Sequence, residues 1–353
     1  MSAIHQLVAG YSHGDAISNE ARVLRAAFRA WGHDADIFCE ARRILPELRR
    51  DARDVAELPA ALQTTDVILL HLSIGSAVND LFPTLPGRRA LLYHNMTPPE
   101  YLAAFNPQTA HLLARGREQL AQLAGSAELV LADSAYNAAE LTASGYGPVQ
   151  VLPLVLDWDP VRATPHRGLC KEYRDGLVNV IFVGRCVPNK RIEDLLALFH
   201  YYQRFVRPAS RLIHVGSHAG LERYHALLLT QARDLQLQHA NLLGAVEQRK
   251  LNAVYRSAQV FVSMSEHEGF CIPLLEAMAC DVPVLAHAAA AVPETMAGAG
   301  VLFKEKRYDL LAEMVERLAH DGPLRRAVLA GQRPRLAAYD AERPLDKLRA
   351  WLT

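Results

Sequence analysis

Cysteine is scarce here: five residues, at 39, 170, 186, 271 and 280, odd in number and scattered, with no CxxC pair. That pattern excludes a disulfide framework and points to a reducing, cytoplasmic setting. No apolar run approaches the ~18 residues that a membrane span needs. The opening Met-Ser-Ala-Ile-His-Gln-Leu-Val has no basic stretch ahead of an apolar one, so it reads as a first strand rather than a signal peptide. An excess of either charge is also missing: 38 Lys and Arg balance 38 Asp and Glu, which removes the electrostatic case for nucleic acid. The first 155 residues carry 12 basic and 16 acidic side chains and the rest 26 and 22, a split too mild to name a partner. Solenoid-period repeats and low-complexity tracts are absent. So are the GxGxxG fingerprint of NAD-dependent dehydrogenases, a Gly-x-Ser-x-Gly nucleophile elbow and a zinc-type cluster of His, Cys and Asp.

What is present is a long chain, 353 residues and half apolar, enough for two domains with a core each. Apolar strand-like runs alternate with helical patterns, which predicts α/β architecture with parallel sheets. The first set is Ile4–Ala9, Ala35–Cys39, Asp66–His71, Ala90–Tyr93, Glu128–Ala132 and Val149–Leu152. The second is Val178–Val183, Arg211–Val215, Asn241–Leu243, Gln259–Ser263 and Pro283–Ala286. Leu24, Phe28 and Trp31 recur at helical spacing between the first two runs. Pro153–Asp175, with its prolines and mixed charge, reads as the connection. The expected organisation is 1–160, 161–340 and a short amphipathic helix over 341–353.

Two glutamates eight positions apart stand out, Glu268 and Glu276, in Ser-Glu-His-Glu-Gly-Phe-Cys-Ile-Pro-Leu-Leu-Glu-Ala-Met-Ala. The first follows a strand; the second falls inside a helix that Pro273 is suited to open. Amides around Phe270–Ile272 at that helix start make an anion site. A carboxylate on each side suits a ligand with hydroxyls at both ends and phosphate between, as in a sugar nucleotide. Gly184-Arg-Cys-Val-Pro-Asn-Lys190 follows another strand, and its Arg185 and Lys190 reach back over the carboxyl edge of the sheet, where open α/β folds bind ligands. Gly10-Tyr-Ser-His-Gly14-Asp15 lies between the first strand and first helix, and Tyr93-His94-Asn-Met-Thr-Pro-Pro ends another strand. Ser134 reads as a helix N-cap. Asp157-Trp158-Asp159 reads as a turn in the connection, not as a metal-chelating Asp-x-Asp.

Taken together, and most strongly over Ser263–Glu294, these strings resemble the retaining family 4 glycosyltransferases of the GT-B fold (glycosyl transferases group 1), of the kind found in polysaccharide assembly. The resemblance implies two Rossmann-like domains facing across a cleft, with the terminal helix crossing back to the first. It implies transfer of a hexose from a nucleoside diphosphate sugar, UDP-glucose or GDP-mannose type, to a sugar or lipid-linked acceptor hydroxyl with retained configuration and no metal or other cofactor. Arg185 and Lys190 would neutralise the leaving diphosphate, Glu268 would hold sugar hydroxyls and Glu276 the ribose. Gly269, Phe270, Cys271 and Ile272 would line the donor, with Gly216 and Val246 near sugar or base. His94 would contact the transferred sugar, and Gly14 and Asp15 would face the reaction centre. Cys271 stands where the family usually has Gly, as do Ala290 and Ala291 before Pro293-Glu294.

A GT-B-fold epimerase or hydrolase, or a non-catalytic nucleotide-binding subunit, are the alternatives. The arginine-rich run Ala41–Glu57 is expected to be a solvated helix. Contact with an anionic membrane surface at the inner face, or with a lipid-diphosphate acceptor, is its second reading.

Overall fold

Runs rich in Val, Ile and Leu build two all-parallel sheets, as strands buried on both faces should. The computed structural model describes residues 2–58, 62–320 and 322–352. It divides into two units: the first holds residues up to Glu100, Pro107–Asp157 and those from Arg343 on, the second Tyr101–Asn106 and Trp158–Glu342.

In the first unit β1 (Ile4–Val8), β2 (Ile37–Cys39), β3 (Arg53–Asp54), β4 (Val67–Leu72), β5 (Arg88–Tyr93), β6 (Leu129–Ala132) and β7 (Val149–Val151) lie in the order β3-β2-β1-β4-β5-β6-β7. The register pairs Gln6 with Leu69 and Leu7 with Leu70 across the central β1–β4 ladder. Helix Ala16–Ala30 packs Leu24 and Phe28 onto one face with Ile4, Leu92 and Leu152. Helix Pro344–Leu352 adds Leu348 and Leu352 to the same cluster, and Arg88 Nη1 donates to the Leu352 carbonyl at 3.0 Å.

The second unit holds β8 (Val178–Val183), β9 (Ser210–Val215), β10 (Ala240–Leu242), β11 (Val260–Ser263), β12 (Val284–His287) and β13 (Val301–Phe303), ordered β10-β9-β8-β11-β12-β13. This is the doubly wound arrangement, whose order reverses between β8 and β11, so the crevice at their carboxyl ends is where such sheets take ligands. The first sheet reverses in the same way between β1 and β4.

Five expectations need correction. Ala41–Glu57 is not one helix: three single 3₁₀ turns and strand β3 occupy it. Arg42 is tied to Glu40 at 2.7 Å and Arg53 to Glu57 at 2.8 Å and Asp36 at 3.2 Å, Arg49 and Arg50 are exposed, and β3 pairs as a short polar edge. Pro153–Asp175 contains the change of unit, between Asp157 and Trp158, but it is not irregular throughout, because Trp158 onward belongs to the second unit and forms helices Asp159–Arg162 and Arg167–Glu172. Asn252 Nδ2 binds the carbonyls of Pro160 and Ala163 at 2.7 and 3.0 Å, which fastens that stretch. The terminal helix begins at Pro344, after a longer helix, Pro323–Ala341, that carries Pro334 inside it. Each sheet also has one strand more than the apolar runs foretold, β3 and β13, both short edges. Asp157-Trp158-Asp159 is not the turn expected of it: Trp158 is the N-cap of helix Asp159–Arg162, and its Nε1 donates to Asp340 Oδ1 at 2.9 Å.

Candidate functional site

In the second unit the loops after β8 and β11 meet at the switch point. Asn189, 4 % exposed, donates from Nδ2 to the His267 carbonyl at 2.9 Å and accepts from the Glu266 amide at 2.9 Å, so it laces the two loops together. That lacing brings Lys190 Nζ onto Glu268 Oε2 as an ion pair, with Glu268 buried and Lys190 mostly so. The two residues the sequence assigned to different parts of a ligand, diphosphate and sugar, are therefore bonded to each other. Arg185, by contrast, is exposed, and among the described residues its side chain has no hydrogen-bond or ion-pair partner. It is a free guanidinium at the carboxyl end of β8.

Glu276 sits in helix Ile272–Ala279, which Pro273 opens. Its Oε2 accepts from the Tyr255 hydroxyl at 2.8 Å. Burial pushes its carboxyl upward and the Tyr255 hydrogen bond only partly opposes this. Tyr255 is itself raised by burial and then by the neighbouring Glu276 charge, so it remains the donor in the pair. Gly269 and Ile272 are half-buried and Phe270 is buried, its ring 5.9 Å from that of Tyr339. Thr295 Oγ1 donates to the Phe270 carbonyl and pins the loop from below.

Cys271 caps this helix in the left-handed region, at φ 76°. Ala290 does the same in its turn at φ 51°. These are two of the positions where the family usually carries glycine, and the backbone gives the reason: an L side chain there costs about 1–2 kcal/mol. We expect Ala290→Gly to raise stability by roughly 1 kcal/mol in urea unfolding, since the strain relieved exceeds the entropy lost. A less stable variant would mean the Ala290 methyl packs usefully.

Gly216 lies at the end of β9, pressed on the end of β8. A Cβ there would sit 1.7 Å from the Gly184 carbonyl oxygen, so only glycine lets the two chain ends cross. His214 Nε2 donates to that same carbonyl at 2.9 Å. Burial lowers the His214 imidazole to about 4 against the pull of this hydrogen bond, with the charges of His225 and His218 adding to the fall. Val246 is half-buried in the loop after β10.

In the first unit the sequence-predicted residues divide. Gly14 adopts φ 68° with open space around it. Asp15 is the N-cap of helix Ala16–Ala30, and its Oδ2 accepts from the Ser18 amide at 2.8 Å and the Ser18 hydroxyl at 2.7 Å. Ser134 caps the helix after β6, accepting from the Asn137 amide at 3.2 Å. The His94 side chain is only 3 % exposed. Its Nε2 stands 2.9 Å from His71 Nδ1 and 3.7 Å from Glu20 Oε2, and its Nδ1 3.6 Å from Asp133 Oδ2. Burial lowers its pKa, but Asp133, Glu20 and Asp15 outweigh it and hold the imidazole above its ordinary value. Glu20 and His71 were not foreseen. The available signal was a histidine within the apolar run of β4, where a buried parallel strand has no ordinary use for one.

Residues 173–332 match the family model for glycosyl transferases group 1. That segment belongs to the family. It contains the Lys190–Glu268 pair, Arg185, Gly216 and Glu276, so the family segment and the switch-point cluster coincide. The chain is 30 % identical over 142 residues to an O-antigen chain mannosyltransferase B of Escherichia coli, covering 40 % of this chain and 37 % of that protein. It is 30 % identical over 226 residues to a GDP-mannose-dependent alpha-(1-6)-phosphatidylinositol monomannoside mannosyltransferase of Mycobacterium tuberculosis, covering 60 % and 57 %. The matches thus span about two to three fifths of these curated relatives. A sucrose-phosphate synthase structure from Thermosynechococcus elongatus superposes with a TM-score of 0.76 at 18 % identity, covering 99 % of this chain and 98 % of that one. The fold is that of the GT-B glycosyltransferases. Among the described residues no helix is long and apolar enough to cross a membrane.

Proposed function

We propose that this protein is a retaining hexosyltransferase that uses a nucleoside diphosphate sugar, and that the donor is GDP-mannose. The observation carrying the reading is the free Arg185 and the Lys190–Glu268 pair at the β8/β11 switch point, with Glu276 in the helix that follows β11, all inside the family segment. The names of the curated relatives favour mannose and guanosine. Arg185 meets the diphosphate first. Lys190 turns from Glu268 toward it, and the released Glu268 carboxylate accepts hydrogen bonds from hydroxyls of the sugar. Glu276 accepts from the ribose hydroxyls, with Tyr255 holding it in place. Gly269, Phe270, Cys271 and Ile272 line the donor, Gly216 lies close to its sugar and phosphate, and Val246 lies near the base.

The bond from the anomeric carbon to the diphosphate breaks as the acceptor oxygen bonds to that carbon on the same face. The acceptor's proton passes to the leaving phosphate oxygen. Two cations at the diphosphate stabilise the charge that grows there, so the transfer itself calls for no metal. In the first unit, Gly14 and Asp15 are assigned to substrate hydroxyls; His94, 3 % exposed with both ring nitrogens turned to protein groups, is not. The acceptor class is a saccharide or lipid-linked saccharide, reached by contact at the inner membrane face from the cytoplasm.

Calorimetry with GDP, UDP and their mannose and glucose conjugates tests the donor assignment. GDP-mannose should bind most tightly, and Glu276→Ala should weaken GDP by about 10–100-fold, as loss of a charged hydrogen-bond acceptor does. Unchanged affinity in the variant would refute the ribose role. Preference for uridine nucleotides would overturn the choice of donor.

A further inference from the structure

Gln6 fixes the protonation of a buried histidine pair in the first unit. Its Nε2 donates to the Ala21 carbonyl at 2.9 Å, which turns its Oε1 toward His71 Nε2, also at 2.9 Å. An amide oxygen only accepts, so His71 carries its hydrogen on Nε2 and presents a lone pair on Nδ1. His94 is held less tightly: its Nδ1 lies 3.6 Å from Asp133 Oδ2, beyond hydrogen-bond length, and the carboxylate's charge favours a hydrogen there and leaves Nε2 to face inward. Glu20 completes the set. Its Oε1 accepts from the Val155 amide at 3.0 Å, while Oε2, 2 % exposed as a side chain, has no hydrogen-bond partner.

Three electron-pair donors, His71 Nδ1, His94 Nε2 and Glu20 Oε2, therefore converge within 4.8 Å of one another. A single proton on His94 Nε2 would serve the two imidazoles and leave the Glu20 oxygen orphaned, at a cost of at least ~1–3 kcal/mol. A divalent cation would satisfy all three. Gln6 Oε1 supplies the hydrogen-bonded second layer that orients a metal-binding histidine at His71, and the Asp133 carboxylate stands 3.6 Å from the outer nitrogen of His94. Ligands at ~2.0–2.1 Å in a tetrahedral zinc site lie about 3.3 Å apart. The 2.9 Å and 3.7 Å separations found here need shifts of only about 0.4 Å.

We propose that Glu20, His71 and His94 form a site for a divalent transition ion of the zinc class, with a fourth position left for water or a ligand oxygen. The site goes beyond the transfer reading and is independent of the donor residues in the second unit.

The test uses the full chain freed of metal by chelator, titrated with Co²⁺ and followed by visible absorption, then with Zn²⁺ by calorimetry. One equivalent should bind, with d–d bands that Zn²⁺ bleaches. Glu20→Gln and His71→Asn should each weaken binding by more than the 10–100-fold typical of second-layer changes. His225→Asn, in the separate stacked pair with His218 of the second unit, should leave the titration unaltered. Nitrogen NMR of wild-type protein guards against misfolded variants: with Zn²⁺, His94 Nε2 should lose its proton signature while Nδ1 keeps it. No stoichiometric binding, equal binding in the Glu20 and His71 variants, or a His94 still protonated on both nitrogens under Zn²⁺ would overturn the proposal.

Discussion

Lys190→Ala should lower turnover by about 10²–10³-fold, the loss seen when one charge-stabilising contact is removed from a developing anion. The same change should also destabilise the fold, because it leaves the Glu268 carboxylate buried without its cation. Breaking a buried pair from one side costs about 3–5 kcal/mol. Those two losses can be separated. Pairing Lys190→Ala with Glu268→Gln removes the stranded charge, so unfolding in urea should return most of the way to wild type. Turnover should stay low, since the diphosphate still lacks its cation. A double variant that regains activity along with stability would make the pair structural. Full activity in Lys190→Ala alone would sink the phosphate assignment.

Gly216→Ala should have an effect of similar size by a different route. The added methyl would lie 1.7 Å from the Gly184 oxygen and 2.5 Å from its carbonyl carbon, both backbone atoms that cannot swing aside. The ends of β8 and β9 must part, and the His214 hydrogen bond to Gly184 goes with them. Overpacking of this kind costs about 3 kcal/mol or more. Because Arg185 and Lys190 hang from the displaced strand end, nucleotide affinity should fall together with stability. A variant that unfolds and binds GDP like wild type would show that the crossing is slack.

The central strands were legible because Val, Ile, Leu and Phe dominate each of them, even where a polar residue such as Gln6, His71 or Asn179 is buried in the run. What escaped was short or polar. Arg53–Asp54 becomes a strand only by pairing with β2 at the sheet edge, and Val301–Phe303 is three residues long. Tyr101–Asn106 joins the second unit through the Asn106 side chain donating to Gly220 O and the Phe105 ring against Tyr224, contacts no local pattern announces. At the candidate site, residue types were readable from motif spacing, whereas partnerships were not. Lys190 and Glu268 are 78 positions apart and were given separate parts of a ligand, its diphosphate and its sugar; the Asn189 lacing makes them neighbours. Glu20, His71 and His94 come from a helix, a strand and a strand end, so no sequence spacing could have displayed them as a cluster. Glycine replacement was the reverse case. Cys271 and Ala290 stood out against the family pattern, and their left-handed backbone explains why that pattern asks for glycine.

The account stands most directly on where the donor binds. A crystal structure of the protein soaked with GDP-mannose should place the diphosphate against Arg185 and Lys190, with the Lys190–Glu268 pair opened, and the ribose hydroxyls on Glu276. A nucleotide bound away from the β8/β11 crevice, or a diphosphate in that crevice with the Lys190–Glu268 pair still closed, would contradict it.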